Sequence, residues 1–96
     1  MTARSRGPAR VEPELHAYLG NALLLRGKFS EAEIELKNAT FKDPTNAEWQ
    51  ALLGYSLFEQ KRYAEASQAL KAAVMLAPEN TKYKEILKES ESRGKP

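Results

Sequence analysis

The side chains that could carry chemistry are few in this chain, and their spacing does not assemble a reactive centre. The sequence holds one histidine, His16, and no cysteine. A thiolate nucleophile, a cysteine-ligated zinc site and a multi-histidine metal site are therefore excluded. No serine, aspartate or second base is placed to activate His16. We interpret His16 as a structural residue.

A second cluster of ionisable side chains consists of three glutamates at alternating positions, Glu31, Glu33 and Glu35. Negative charge is favourable in the first turns of a helix, so we expect these carboxylates to form a solvated face. The chain also contains no glycine-rich phosphate loop, no GxSxG and no HExxH motif. We therefore predict that the protein is not an enzyme and that it has no catalytic residue, metal site or cofactor.

The net charge of +2 is concentrated in the flanks of the chain. Residues 1–12 and 81–96 each sum to +2, whereas 13–46 and 47–80 each sum to −1. The middle of the chain offers no basic face, so nucleic-acid binding is not expected. No apolar run approaches the roughly 18 residues of a membrane span, and no apolar signal-peptide stretch follows Met1. These features predict a cytoplasmic protein without membrane insertion.

The elements that must position these side chains come from an internal repeat. The 96 residues are enough for one small domain. Residues 13–46 and 47–80 align without a gap as two units of 34 residues, identical at twelve positions. Large apolar residues in each unit recur at spacings of three, four and seven, which is the helical period.

Each unit is therefore predicted to be a pair of amphipathic helices, and the fold class is all-α. The five predicted helices cover about 13–26, 30–42, 47–60, 64–76 and 81–91. The last is a capping helix with a polar outer face, as a repeat array requires for solubility. The remaining segments, 1–12 and 92–96, are predicted to be disordered tails.

Small residues and helix-terminal residues support this division. Gly20 and Ala32, with their counterparts Gly54 and Ala66, leave room where two helix backbones come close. Gly27 is expected to end the first helix.

Two further expectations concern capping and the core. Ser30 with Glu33, and Thr45 with Glu48, have the spacing of capping boxes. Phe41 and its counterpart in the second unit, Met75, are expected to fill core space.

The repeat resembles the tetratricopeptide repeat. Each unit has Leu-Gly at its seventh and eighth positions, Ala at the twentieth and twenty-seventh, a large apolar residue at the twenty-fourth and Pro at the thirty-second. The usual aromatic at the fourth position is absent, where His16 and Gln50 stand. The resemblance covers 68 of the 96 residues and implies a solenoid of helix-turn-helix units.

The resemblance also implies where a partner would bind. In this family the first helix of each repeat lines the concave face, and the corresponding positions here are largely apolar and aromatic. The peptide-binding residues implied in this way are Tyr18, Asn21, Leu24, Leu52, Tyr55, Phe58, Lys82 and Ile86. In an alternative interpretation, Leu24, Leu25 and Phe58 pack within the repeats, which leaves only Tyr18, Asn21, Leu52 and Tyr55 accessible.

The side chains at these positions indicate which class of partner would bind. Some co-chaperones of the family hold an acidic tail with five lysine, arginine and asparagine side chains, of which only Asn21 and Lys82 are present here. An apolar peptide or amphipathic helix fits better, so we predict an adaptor or chaperone-like interaction module.

The alternative function is structural self-association. It would use either the concave face or the exposed edge of the first helix, which includes Leu15. A homodimer could cover that edge, or residues 1–12 could fold back over it through Val11.

Overall fold

The computed structural model describes residues 12–95, which form five α-helices and no strand, as the all-α prediction requires. The predicted tail at residues 1–12 lies outside the described range except for Glu12, which precedes the first helix. Every predicted helix end falls within two residues of the observed one. The helices are α1 (Pro13–Leu25), α2 (Phe29–Lys42), α3 (Ala47–Glu59), α4 (Tyr63–Leu76) and α5 (Thr81–Arg93).

The end of α5 corrects the predicted C-terminal tail. The helix continues to Arg93, so residues 92 and 93 are not part of a disordered segment. Two contacts hold this last turn. The buried hydroxyl of Ser90 donates to the carbonyl of Tyr63 at 3.0 Å, and Arg93 Nε donates to Glu89 at 2.7 Å.

The helices pack as two hairpins and a cap. The first hairpin is α1 with α2 and the second is α3 with α4, while α2 also packs on α3 and α4 on α5. The core runs along these contacts, and its largest fully buried side chains are Leu36 and Leu70. Because both units have the same spacing, each places its leucine against the same position of the preceding helix.

Glycine is required where those leucines meet the neighbouring backbone. A Cβ atom at Gly20 would lie 2.6 Å from Leu36 Cγ, and one at Gly54 would lie 2.7 Å from Leu70 Cγ. Both distances are too short for two carbon atoms, so a side chain at either glycine would force the hairpin to shift. Ala32 and Ala66 are also fully buried, in agreement with the predicted role of these four small residues.

The two hairpin turns share a geometry but differ in residue type. After α1, the amide of Lys28 donates to Leu23 and that of Gly27 donates to Leu24, both at 2.9 Å, and Gly27 has a φ of 76°. This is the Schellman arrangement, in which the residue in the left-handed conformation is usually glycine. After α3 the same pair of bonds forms around Lys61, a non-glycine residue with a φ of 63°.

The junction between the two hairpins depends on Glu33, which the sequence analysis wrongly placed on a solvated face. Its carboxylate is buried and accepts from Arg62 Nη1 at 2.6 Å and from Gln60 Nε2 at 3.1 Å, and it pairs with Lys37 at 2.8 Å. Burial raises the pKa of Glu33, but these hydrogen bonds outweigh it and hold the pKa below the usual value. The charged carboxylate therefore links α2 to the turn between α3 and α4.

The predicted capping boxes are wrong. Helix α2 begins at Phe29, with Lys28 at the N-cap and no side-chain cap hydrogen bond. The Glu33 carboxylate is engaged at the junction instead. At α3 the cap is Asn46, whose side chain accepts from the Trp49 amide at 3.0 Å. Thr45 instead donates to Asp43 at 2.7 Å.

Phe41 and Met75 do not fill the core. They are 86% and 81% exposed, near the C-terminal ends of α2 and α4. Each follows a buried alanine by two residues, a rotation of about 200° on a helix, which turns the side chain away from the core.

The glycine contacts yield a test in which packing and helix propensity predict opposite signs. Propensity alone would make Gly54→Ala stabilising by about 1 kcal/mol. Because the new methyl group would overlap Leu70, we expect the free energy of unfolding to fall by about 1 to 3 kcal/mol in urea denaturation. The exposed Asn21→Ala serves as the control and should be neutral or slightly stabilising. A stabilised Gly54→Ala variant would contradict the packing described for this hairpin.

The second turn predicts a stabilising substitution. Lys61→Gly removes the steric cost of the left-handed conformation and should raise the free energy of unfolding by about 1 kcal/mol. The reciprocal Gly27→Lys should lower it by a similar amount, because no atom lies within 4 Å of a Cβ there and the cost is confined to the backbone. Thermal unfolding of both variants measures the effect. Lys61→Gly that unfolds at or below the wild-type temperature would disprove the assigned turn geometry.

Candidate binding groove

An apolar opening with charged walls lies between α3 and α5. It is a groove of about 500 Å³. Its floor consists of Tyr55, Phe58 and Ile86, which are half-buried and pack against the core cluster. Its rim consists of four charged side chains from α5, namely Lys82, Glu85, Glu89 and Arg93.

The groove is positioned by the repeat itself. Helix α5 packs on α4 much as α3 packs on α2, and this places one face of α5 beside the inner face of α3. On α3, Leu52, Tyr55 and Phe58 are separated by three residues and share a stripe. On α5 the spacing from Lys82 to Ile86 to Arg93 gives a matching stripe of four and seven residues.

Aromatic and cationic contacts close one end of the groove. The ring of Phe58 packs edge-on against Tyr63, with centroids 5.3 Å apart and an interplanar angle of 74°. The Arg93 guanidinium lies 5.4 Å from the centre of the same Phe58 ring. Arg93 also pairs with Glu89 at 2.7 Å, so both its charge and its plane are engaged. These contacts fix the orientation of the Phe58 side chain.

The electrostatics of the groove combine the half-buried phenol of Tyr55 with nearby carboxylates. Burial raises the pKa of Tyr55, and the nearby Tyr83 phenol adds to the rise. Glu48 and Glu59 are exposed on α3, seven residues before and four residues after Tyr55, so they lie on the same side of the helix. Neither of them, nor Glu85, forms an ion pair with any residue in the described range.

The eight predicted binding residues divide into three groups. Tyr55, Phe58, Lys82 and Ile86 come together in the groove. Leu24 and Leu52 are half-buried and pack against the core cluster. Tyr18 and Asn21 are exposed on α1 and do not line the groove.

The alternative interpretation is also only partly right. Leu24 and Phe58 do pack within the repeats, but Leu25 is 82% exposed. Leu52 and Tyr55 are both half-buried and pack against the core cluster.

The eight predicted residues leave out three that line the groove, namely Glu85, Glu89 and Arg93. Arg93 is the one that lay outside the predicted helix. It fell in the segment predicted to be a disordered tail, so its helical spacing was not considered. The signal was present, because Arg93 lies four residues after Glu89 and seven after Ile86.

Other candidate chemistry has a structural explanation. His16 Nδ1 lies 2.8 Å from Glu35 Oε1 and links α1 to α2. Within residues 12–95, no group of three or more metal-ligating side chains lies together. No helix in that range combines the length and apolar character needed to cross a membrane. The cytoplasmic location stays a prediction.

Comparison with known proteins agrees with the architecture. The family model described as Tetratricopeptide repeat matches residues 18–81, which is two thirds of the chain and includes parts of both units. A search of curated proteins finds no match.

The half-buried phenol of Tyr55 predicts how the stability of the fold changes at alkaline pH. Because the pKa of Tyr55 is higher in the folded state, the phenol's contribution to stability is complete below the unfolded-state pKa of about 10. That contribution is lost as the pH rises through the folded-state pKa. Tyr55→Phe should therefore lose less stability than the wild type as the pH rises above about 10, measured by urea denaturation at a series of pH values. Equal losses in the two proteins would contradict burial of this phenol.

Proposed function

The chain belongs to the tetratricopeptide repeat family, and on that premise we propose that it is a non-catalytic adaptor or chaperone-like module that binds an apolar or amphipathic segment in the α3–α5 groove. Repeats of this family generally mediate protein–protein interactions. One observation carries the assignment to this groove: it has a volume of about 500 Å³, an apolar and aromatic floor and a charged rim. An apolar floor inside a polar rim is the usual anatomy of an interaction site.

The shape of the groove favours a helix as the bound segment. Helices α3 and α5 form the two sides of the groove, to which α3 contributes Tyr55 and Phe58 and α5 contributes Ile86. An amphipathic helix would place side chains at spacings of three, four and seven residues into such a channel. Tyrosine and phenylalanine are frequent anchors of binding energy because they bury a large area with few rotatable bonds.

The charges around the groove favour basic residues beside the apolar anchors of the partner. Arg93 and Glu89 neutralise each other, which leaves Lys82 as the free cation of the rim. Against it stand three carboxylates without an ion-pair partner in the described range, Glu48, Glu59 and Glu85. Complementary charge fixes orientation and speeds association, so we propose a lysine- or arginine-flanked segment.

A second candidate function is self-association, and one specific observation favours it. Leu15 and Leu19 on α1 are 57% and 46% exposed, whereas their counterparts one unit later, Trp49 and Leu53, are each 8% exposed. A stripe that is buried in one unit is thus open in the other. A second copy of the chain is one way to cover it.

Two peptides test the binding proposal. Both carry leucines at the spacing of one helical face, and one has lysine flanks while the other has glutamate flanks. We expect fluorescence anisotropy to show tighter binding of the lysine-flanked peptide, by about tenfold. Tyr55→Glu should abolish binding of both peptides, because it places a charge on the apolar floor.

Charge variants separate the groove from the rest of the surface. Glu85→Lys should weaken binding of the lysine-flanked peptide. Glu79→Lys, which is the same change outside the groove lining, should leave that binding unchanged. Circular dichroism of every variant checks that the helices remain. The proposal fails if neither peptide binds at about 1 mM, or if Tyr55→Glu, still folded, binds as well as the wild type.

A further inference from the structure

The outer stripe of α1, formed by Leu15, Leu19 and Leu23, is an apolar surface whose role can be inferred from the equivalent stripe of the second unit. On α3 the corresponding stripe is buried against α2 by Trp49, Leu53 and Leu57. On α1 the same repeat positions are Leu15, Leu19 and Leu23. The stripe is thus apolar in both units, although no helix within residues 12–95 covers it in the first.

The open stripe has a distinct form and a charge gradient. A shallow groove of about 290 Å³ runs beside it, lined in part by Leu19, Leu23 and Arg26. Glu12 stands at the N-terminal end of α1 and Arg26 at the C-terminal end, and both are exposed. Glu12 precedes Leu15 by three residues, and Arg26 follows Leu19 by seven, so the two charged residues lie at opposite ends of the stripe.

We infer that two copies of the chain pair along α1, antiparallel and related by a two-fold axis at Leu19. Leu19 then contacts Leu19 of the second copy, and Leu15 contacts Leu23 of the second copy. Glu12 lies beside Arg26 of the second copy, and the symmetry repeats this ion pair at the other end. This inference gives the self-association proposed above its geometry, and it rests on that proposal.

The charge pattern selects this arrangement over a parallel one. Two parallel copies would place Glu12 beside Glu12 and Arg26 beside Arg26, and the two helix dipoles would also be aligned. In the antiparallel pair each Glu12 instead faces the Arg26 of the other copy, and this contact is attractive. A shallow crossing angle of about 20° keeps the helices close over their full length, so that both ends meet. One helix face is a small interface, and the dimer should therefore be weak.

A charge exchange tests the pairing. Light scattering at concentrations from about 10 μM to 1 mM should show the mass rising from 10.8 kDa towards twice that value. Glu12→Arg alone, or Arg26→Glu alone, turns two attractive contacts into two repulsive ones and should weaken the dimer by about tenfold or more. The double variant Glu12→Arg/Arg26→Glu restores opposite charges and should recover the wild-type dimer.

Two leucine variants locate the surface. Leu19→Glu places two carboxylates at the axis and should leave a monomer that still binds the lysine-flanked peptide. Leu25→Glu is the matched control, since Leu25 is more exposed than Leu19 but lies off the stripe, and it should dimerise normally. Circular dichroism and thermal unfolding show whether each variant keeps the fold.

The possible failures have different meanings. A wild-type protein that stays monomeric to about 1 mM overturns self-association altogether. A dimer that survives Leu19→Glu uses another surface, which overturns the inference alone. If Leu19→Glu abolishes the dimer but the double variant Glu12→Arg/Arg26→Glu does not restore it, the antiparallel register is overturned. None of these results bears on peptide binding in the α3–α5 groove.

Discussion

The close approach of two helix backbones at a glycine is the constraint on which the rest of this structure depends. Leu36 and Leu70 are fully buried only because Gly20 and Gly54 present no side chain to them. That contact sets the separation of the helices within each hairpin. Since it recurs after 34 residues, both hairpins have the same separation and stack in the same way. The binding groove follows from this repetition, because α5 packs on the second hairpin as α3 packs on the first.

Polar contacts fix how neighbouring helices are aligned along their length, which apolar packing alone would not specify. At the first junction the buried Glu33 holds Arg62 and Gln60, whereas at the second the hydroxyls of Ser67 and Ser90 lie 3.0 Å apart. Glu33 and Ser67 occupy the same position of their repeats, so the two junctions use that position with different chemistry and different partners. A charged group in such a place is stable only with all its partners, so the first junction is the more specific of the two. The second leaves α5 with a largely charged outer face, which suits a terminal helix.

The sequence predicted the helices well because their period and their small residues are local signals repeated twice. It failed where the outcome depends on contacts between helices. Glu33 looks solvated from its own helix and is buried only by the neighbouring turn. The caps failed for a similar reason, since Asn46 and Thr45 are adjacent and either could cap α3. Of the binding site, the apolar floor was predictable from repeat positions, whereas the position of one rim residue, Arg93, depended on α5 continuing beyond residue 91. Tyr18 and Asn21 were assigned by repeat position, but α1 lies too far along the array to reach this groove.

The most direct test of the central constraint is to fill the space between the helices at Ala66, which is fully buried and whose carbonyl lies 3.4 Å from a Cβ at Gly54. We expect Ala66→Leu to lower the unfolding temperature sharply or to prevent folding, measured by circular dichroism. Ala64→Leu adds the same atoms two residues earlier on the exposed face of α4 and should leave the unfolding temperature near that of the wild type. If Ala66→Leu folds and melts like Ala64→Leu, close helix approach does not hold this fold together.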